Sequence, residues 1–181
     1  FVDRPESEAV KYELPFAYVR EHVKPQRDKN TVASLREKWW LHGRPRPAMR
    51  EAMSGLSRYI GTSEVSKHRT FIWIRSDVVP DHTLHVIARE DDYFFGVLHS
   101  KLHEIWSLKI GSYIGAGNDP RYTSTKTFET FPFPWPPGSE DRWNAAYQAI
   151  SGAAATLHEE RDAWLNPAGV TSEKALRRRT L

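Results

Sequence analysis

No cysteine occurs among the 181 residues, which excludes a disulfide scaffold, a Cys-ligated zinc finger, an iron–sulfur cluster and thiol catalysis together. The same absence is compatible with a reducing cytosol. No apolar run approaches the ~18 residues that a membrane span needs. No Gly-x-Ser-x-Gly elbow offers a serine nucleophile, no His-Glu-x-x-His pattern offers a zinc site, and no internal repeat is visible. The chain also lacks an initial Met and a signal peptide, opening Phe1-Val2-Asp3-Arg4, so it reads as a piece cut from a longer protein. What is present is 39% hydrophobic and 12% aromatic residues, enough to fill the core of one domain, or one and a half.

The net charge is small, +3, but unevenly placed. Residues 20–75 hold thirteen Lys/Arg against five Asp/Glu, while the segments on either side are neutral or acidic. That asymmetry suggests a polyanionic partner such as nucleic acid, the competing reading being charges scattered over a solvated surface.

Residues 1–30 carry Pro5, Pro15 and Pro25 among charged residues and read as a connector from a preceding domain. Trp39-Trp40 should anchor the next segment in a core. Pro45 and Pro47 mark a helix start, followed at helical spacing by Met49, Ala52, Met53, Leu56 and Ile60. Strands are predicted at 70–74 and 82–88, joined in a hairpin-like arrangement by the turn signals from Asp77 to Asp81. A helix over 91–109 follows, with Asp91 and Asp92 at its start and Gly111 as its stop. Residues 111–127 are a Gly-rich polar loop, and Phe128 to Pro137 alternate rings with prolines in an extended segment. Ser139 caps a long helix that ends at Asn166-Pro167, its apolar face including Trp143, Tyr147, Ile150, Ala154 and Trp164. The tail through Arg177-Arg178-Arg179 reads as the start of a further element. The fold class is therefore α+β: a small, mostly antiparallel sheet flanked by helices, then a long C-terminal helix. The expected division is 1–30 connector, 31–137 recognition domain, 138–181 C-terminal helical segment.

Three patterns invite a chemical reading. Asn118-Asp119-Pro120-Arg121-Tyr122 is one residue from the Asp-Pro-Pro-Tyr motif with which amino methyltransferases hold a flipped base, but no Gly-rich strand-to-helix turn precedes it to hold S-adenosylmethionine. His99 and His103 lie four apart with Glu104 beside them and His82 and His85 upstream, a spacing that can bind zinc, yet no third ligand is evident. Strongest are two polar segments, Tyr59 to Arg69 and Gly115 to Lys126. Arg and Lys pair with guanine acceptors, Asn with adenine and carboxylates with the cytosine amino group, while Ser and Thr suit phosphates. Composition alone leaves open whether these are reading loops or ordinary polar surface.

Five ordered blocks then carry a resemblance: Val23-Lys24-Pro25-x-Arg27-x-Lys29-Asn30; Trp39-Trp40-Leu41-x-Gly43-x-Pro45-Arg46-Pro47-x-Met49-Arg50; Arg58-Tyr59-Ile60-x-Thr62-x-Glu64-Val65-Ser66-Lys67-His68-Arg69; Asp91-Asp92-Tyr93-Phe94-Phe95-Gly96-Val97-Leu98-His99-Ser100; and Pro120-Arg121-Tyr122-Thr123-x-Thr125-x-Thr127-Phe128-Glu129-Thr130-Phe131-Pro132-Phe133-Pro134. Together, over most of residues 20–167, they resemble the target-recognition region of MmeI-like, type IIL restriction-modification enzymes and related adenine-specific DNA methyltransferases. The resemblance implies sequence-specific recognition of double-stranded DNA on behalf of an adenine N6 methyltransferase in restriction-modification or phage defence. It implies a parent enzyme that uses S-adenosylmethionine, bound by an N-terminal methyltransferase domain of the same chain, sometimes with a nuclease domain. These residues themselves would then hold no cofactor, catalytic residue or metal ligand. It further implies a cytoplasmic, nucleoid-associated prokaryotic protein without a membrane partner. Carried onto this sequence, base readout falls to Ser63, Glu64, Lys67, His68, Arg69, Gly117, Asn118, Asp119 and Arg121. Phosphate contacts fall to Arg44, Arg46, Arg50, Arg58, Tyr122, Thr123 and Lys126. The alternative is a protein-interaction module of a modification or defence complex, binding its partner through Trp39, Trp40, Phe131, Phe133 and Trp135.

Overall fold

The computed structural model describes residues 1, 3–170, 172 and 177, so the Arg178-Arg179 end of the basic tail lies outside the described residues. The chain divides between Ala52 and Met53 into two compact units, a boundary that neither the composition shift near residue 30 nor the one near 138 marks.

The regular elements of the first unit are helices, including those in the stretch expected to be a connector: α1 (Glu6–Ala9), α2 (Glu13–His22), α3 (Lys24–Asp28) and α4 (Ala33–Glu37). Its core is Ala9, Phe16 and Trp39, with Phe16 and Trp39 rings 5.1 Å apart and Trp40 donating its indole N–H to the Arg4 carbonyl at 2.9 Å. Prolines did not prevent this, because Pro25 stands in the first turn of α3, where a missing N–H costs nothing. α5 (Pro47–Met53) begins where Pro47 predicts and runs across the division.

The second unit is an α+β layer. β1 (Arg58–Ser63) is the central strand, flanked by β2 (Phe71–Arg75) and β3 (Leu84–Ile87), all antiparallel, with Thr62 opposite Phe71 on one side and His85 on the other. β2 and β3 lie where the β-branched runs predict, but they do not pair with each other. The hairpin expectation fails because β1, buried at four consecutive positions, occupies the place between them. Ile60, assigned to a helix by its spacing, belongs to this strand.

The helix expected over 91–109 is two helices, α6 (Asp92–His99) and α7 (Lys101–Ile110). Ser100 separates them in an extended conformation and caps α7 by accepting the His103 N–H at 3.2 Å. Asp91 caps α6 in the same way, accepting from the Phe94 N–H at 2.9 Å. Gly111 ends α7 as expected, and β4 (Ser112–Ile114) pairs with β5 (Asp119–Arg121) in a small hairpin followed by a π-helical turn, Ser124–Phe128.

α8 (Ala145–Leu165) starts five residues later than the composition suggests. Asn144, not Ser139, is its cap, accepting from the Ala146 N–H at 2.9 Å. The upstream acids are taken: Glu140 accepts from the Gly138 N–H and pairs with Arg89 at 3.0 Å, while Asp141 accepts from the Trp143 N–H. Trp143 is consequently outside the helix and 93% exposed rather than on its apolar face, and Trp164 is exposed as well. α8 packs on α6 through small residues: a Cβ on Gly96 would lie 2.8 Å from the Ile150 methyl and 3.0 Å from Ala154 Cβ. Beside that crossing the Tyr93 and Tyr147 rings stack at 4.3 Å. Phe71, Phe94, Phe95 and Leu98 fill the core between sheet and helices, each contributing about 1.5–3 kcal/mol by burial. Among the described residues no helix is long and apolar enough to cross a membrane.

Candidate nucleic-acid interface

Past the end of β1 the chain runs between two other segments. The Glu64 N–H donates to the Thr83 carbonyl at 2.7 Å, the Glu64 carbonyl accepts the Tyr122 N–H at 2.7 Å, and the Ser66 N–H reaches the Pro120 carbonyl at 3.2 Å. The two polar segments singled out in the sequence thus meet edge to edge, with Val65 bridged to Arg121. Their side chains meet as well. Arg121 donates from Nε at 2.6 Å and Nη2 at 2.5 Å to a single oxygen of Glu64, and both side chains remain partly exposed. With two of its five N–H groups given to Glu64, the Arg121 guanidinium keeps three donors beside the carboxylate's acceptors, complementary to guanine and to the cytosine amino group respectively.

The β4–β5 hairpin carries three further candidates. Gly117 sits at the tip with φ of 85°, Asn118 beside it is exposed, and Asp119 is half-buried at the start of β5. On the neighbouring segment Ser63 donates its hydroxyl to the Val65 carbonyl at 2.8 Å, and Lys67 and His68 project into solvent.

Other candidates are placed inside the fold. Arg69 is buried, donating to Thr62 Oγ1 at 3.2 Å and to the Ser63 carbonyl, with its guanidinium 4.8 Å over the Tyr122 ring. Burial pulls its pKa below the ordinary guanidinium value. Arg58 lies 3.8 Å over the Trp73 ring and pairs with Asp92 at 2.9 Å. Tyr122 is buried and hydrogen-bonded to His103 at 3.2 Å, and burial pushes its hydroxyl pKa up. Thr123 is half-buried, its N–H donating to Thr127 Oγ1 at 3.0 Å, whereas Lys126 is exposed. Arg69 and Tyr122 therefore hold the reading segments in place from within, whereas Arg58 sits half-buried at the opposite end of β1.

In the first unit Arg44 and Arg46 are exposed without an ion-pair partner among the described residues. Arg46 holds a left-handed backbone at φ 53° between Pro45 and Pro47, and Arg50 fixes that turn by donating from Nε to the Pro45 carbonyl at 2.9 Å. A strained, exposed cation of this kind is more often found at a functional position than elsewhere.

His103 has both ring nitrogens engaged, Nδ1 with the Leu98 carbonyl and Nε2 with the Tyr122 hydroxyl, which leaves it no lone pair for the zinc reading. His99 Nε2 is 2.8 Å from the Phe71 carbonyl and His103 Nδ1 is 2.9 Å from the Leu98 carbonyl, both bonds requiring a ring N–H. Among the described residues no group of three or more His, Asp or Glu is arranged to hold a metal ion.

Sequence reasoning set His85 beside the zinc pattern and Ser124 in the polar segment Gly115 to Lys126, and missed that the two meet. His85 Nδ1 lies 3.4 Å from the Ser124 hydroxyl, both lining a cavity of about 320 Å³ with Tyr122, Phe128 and Glu129. Burial lowers the His85 pKa, and the Glu64 charge nearby opposes that shift. Each carried its own signal in the sequence, His85 among Leu84, Val86 and Ile87 and Ser124 in a polar loop, but nothing there joins them.

Three comparisons complete the description. The family model described as MmeI, target recognition domain, matches residues 18–135, well over half of the chain. A solved structure of the type IIL restriction-modification enzyme MmeI in complex with DNA has the same fold, with a TM-score of 0.66 and 18% sequence identity over 98% of this chain. The chain spans 24% of the length of that enzyme. Comparison with curated proteins finds no match.

Proposed function

The chain belongs to the MmeI target recognition domain family, and from that premise we infer that it reads a specific sequence of double-stranded DNA within a restriction-modification enzyme. The observation that carries this reading is the junction of the two polar segments at the Glu64–Arg121 pair, with the exposed hairpin tip Gly117-Asn118 and the side chains of Lys67 and His68 around it. Base edges in the major groove offer the donors and acceptors that such a set matches. Arg44, Arg46, Arg50 and Lys126 supply phosphate contacts, which position the duplex without reading it. The parent enzyme would methylate adenine at its exocyclic amine using S-adenosylmethionine held by an N-terminal domain, with the target base flipped out of the stack.

The interaction-module alternative would use Trp39, Trp40, Phe131, Phe133 and Trp135. Those rings are spent in the two units' cores, which leaves them poorly placed to hold a partner.

Titrating a labelled duplex against salt tests the reading. Binding should weaken steeply as salt rises, and Arg46→Ala or Arg50→Ala should flatten the log–log slope by about one unit per lost phosphate contact. An unchanged slope would remove those arginines from the phosphate set. Asn118→Ala or Arg121→Ala should instead relax preference at one base pair, by about 1–3 kcal/mol.

A further inference from the structure

The buried hydrogen bond between His103 and Tyr122 has no role in the account so far. His103 and Tyr122 are almost completely buried, 0% and 1% exposed, on different elements. Because the Leu98 carbonyl can only accept, His103 Nδ1 carries the proton, so Nε2 is the acceptor for the Tyr122 hydroxyl at 3.2 Å. The Leu98 carbonyl is available because α6 ends at His99, and last-turn carbonyls lack a partner within their own helix. Tyr122 stands next to Arg121, gives its N–H to the Glu64 carbonyl, and lies with its ring under the Arg69 guanidinium, which in turn holds the Ser63 carbonyl. A Phe and a Leu would fill this volume without burying any polar atom, so packing alone does not explain the pair. A directional O–H···N bond does something packing does not, which is to select one position of the Tyr122 ring along its slot.

We propose that His103 is a positioning residue that, through the Tyr122 hydroxyl, sets the placement of the Glu64–Arg121 pair and thereby sharpens base discrimination at the position Arg121 reads. The effect on bases rests on the DNA-reading function inferred above; the effect on the pair does not. Tyr122→Phe and His103→Leu remove the bond, whereas His103→Gln restores an acceptor where Nε2 stood.

Two readouts on the whole chain test this. The first is the Arg121 Nε–H signal by nitrogen-15 NMR without DNA. Its Glu64-bonded shift and slow exchange should be lost in Tyr122→Phe and His103→Leu, and retained in His103→Gln. The second is selection from random duplexes. Tyr122→Phe should lower discrimination at one base pair about tenfold, with general DNA affinity at low salt within twofold of the unsubstituted chain. The double variant Tyr122→Phe/His103→Leu should discriminate no worse than either single one. A Tyr122→Phe chain that folds and keeps the Arg121 signal overturns the proposal, as does a loss of overall affinity with base preference intact. Should the unsubstituted chain select no sequence, the DNA reading falls, and the Arg121 signal still decides the positioning role. Should His103→Leu not fold, Tyr122→Phe carries the test alone.

Discussion

Burial holds His99 and His103 neutral, with pKa values brought down from 6.5 to about 4 despite the backbone hydrogen bonds each ring makes. Both folded values lie below the unfolded one, so the unfolded chain binds the additional protons. The stability these rings contribute is complete above pH 6.5, is lost as pH falls from 6.5 to 4, and changes no further below. At about 1.4 kcal/mol per unit the loss is roughly 3 kcal/mol for each ring. Urea melts between pH 7.5 and 4 should show it, and a His99→Gln or His103→Gln chain should show a shallower decline. A flat profile would mean that the rings are solvated. Both histidines were visible in the sequence as a pair four apart, yet their partners, the Phe71 and Leu98 carbonyls, were not. The same holds for Glu64 and Arg121: each stood out as a candidate, and only folding brings positions 57 residues apart to 2.6 Å. As a partly exposed ion pair it contributes about 1 kcal/mol or less to stability. Arg121→Ala should accordingly leave the melting temperature almost unchanged, so any loss of base preference cannot be put down to unfolding.

At the scale of elements, the hairpin that carries Arg121 rests directly on α7. A Cβ on Gly111 would lie 2.5 Å from the Ser107 carbonyl and 2.9 Å from the Arg121 carbonyl, and backbone atoms cannot rotate away as a side-chain end can. Gly111→Ala should destabilise by about 2 kcal/mol or more, in the upper range for overpacking. Gly117→Ala offers a contrast at the same hairpin: nothing lies within 4 Å, and its φ of 85° alone sets a cost of about 1 kcal/mol. Equal losses in thermal melts would show that α7 and the hairpin are not closely seated. Elements with a periodic signal were legible: β2 and β3 by their β-branched residues, α6 by Asp91, the stop at Gly111. β1 was not, because Gly61 and the polar Thr62 and Ser63 read as a loop although four of its residues are buried. The sequence also cannot tell a strand that pairs with its neighbour from one parted by an earlier strand, so the sheet order escaped it.

Across the whole molecule, charge and division coincide. Residues 1–52 contain eleven Lys/Arg and eight Asp/Glu, while residues 53–181 are balanced, so the net +3 belongs to the first unit. The reading pair and the hairpin belong to the second. Phosphate attraction and base discrimination should therefore separate under mutation: Arg44→Ala and Arg46→Ala lower affinity for every sequence, and changes at Glu64, Asn118 or Arg121 alter which sequence is preferred. The measurement that tests this account most directly is selection of a random duplex pool by the whole chain at low and moderate salt, with sequencing of the retained molecules. Enrichment of one short motif, with retention falling steeply as salt rises, is the predicted result. Retention that ignores salt and enriches no motif would contradict it.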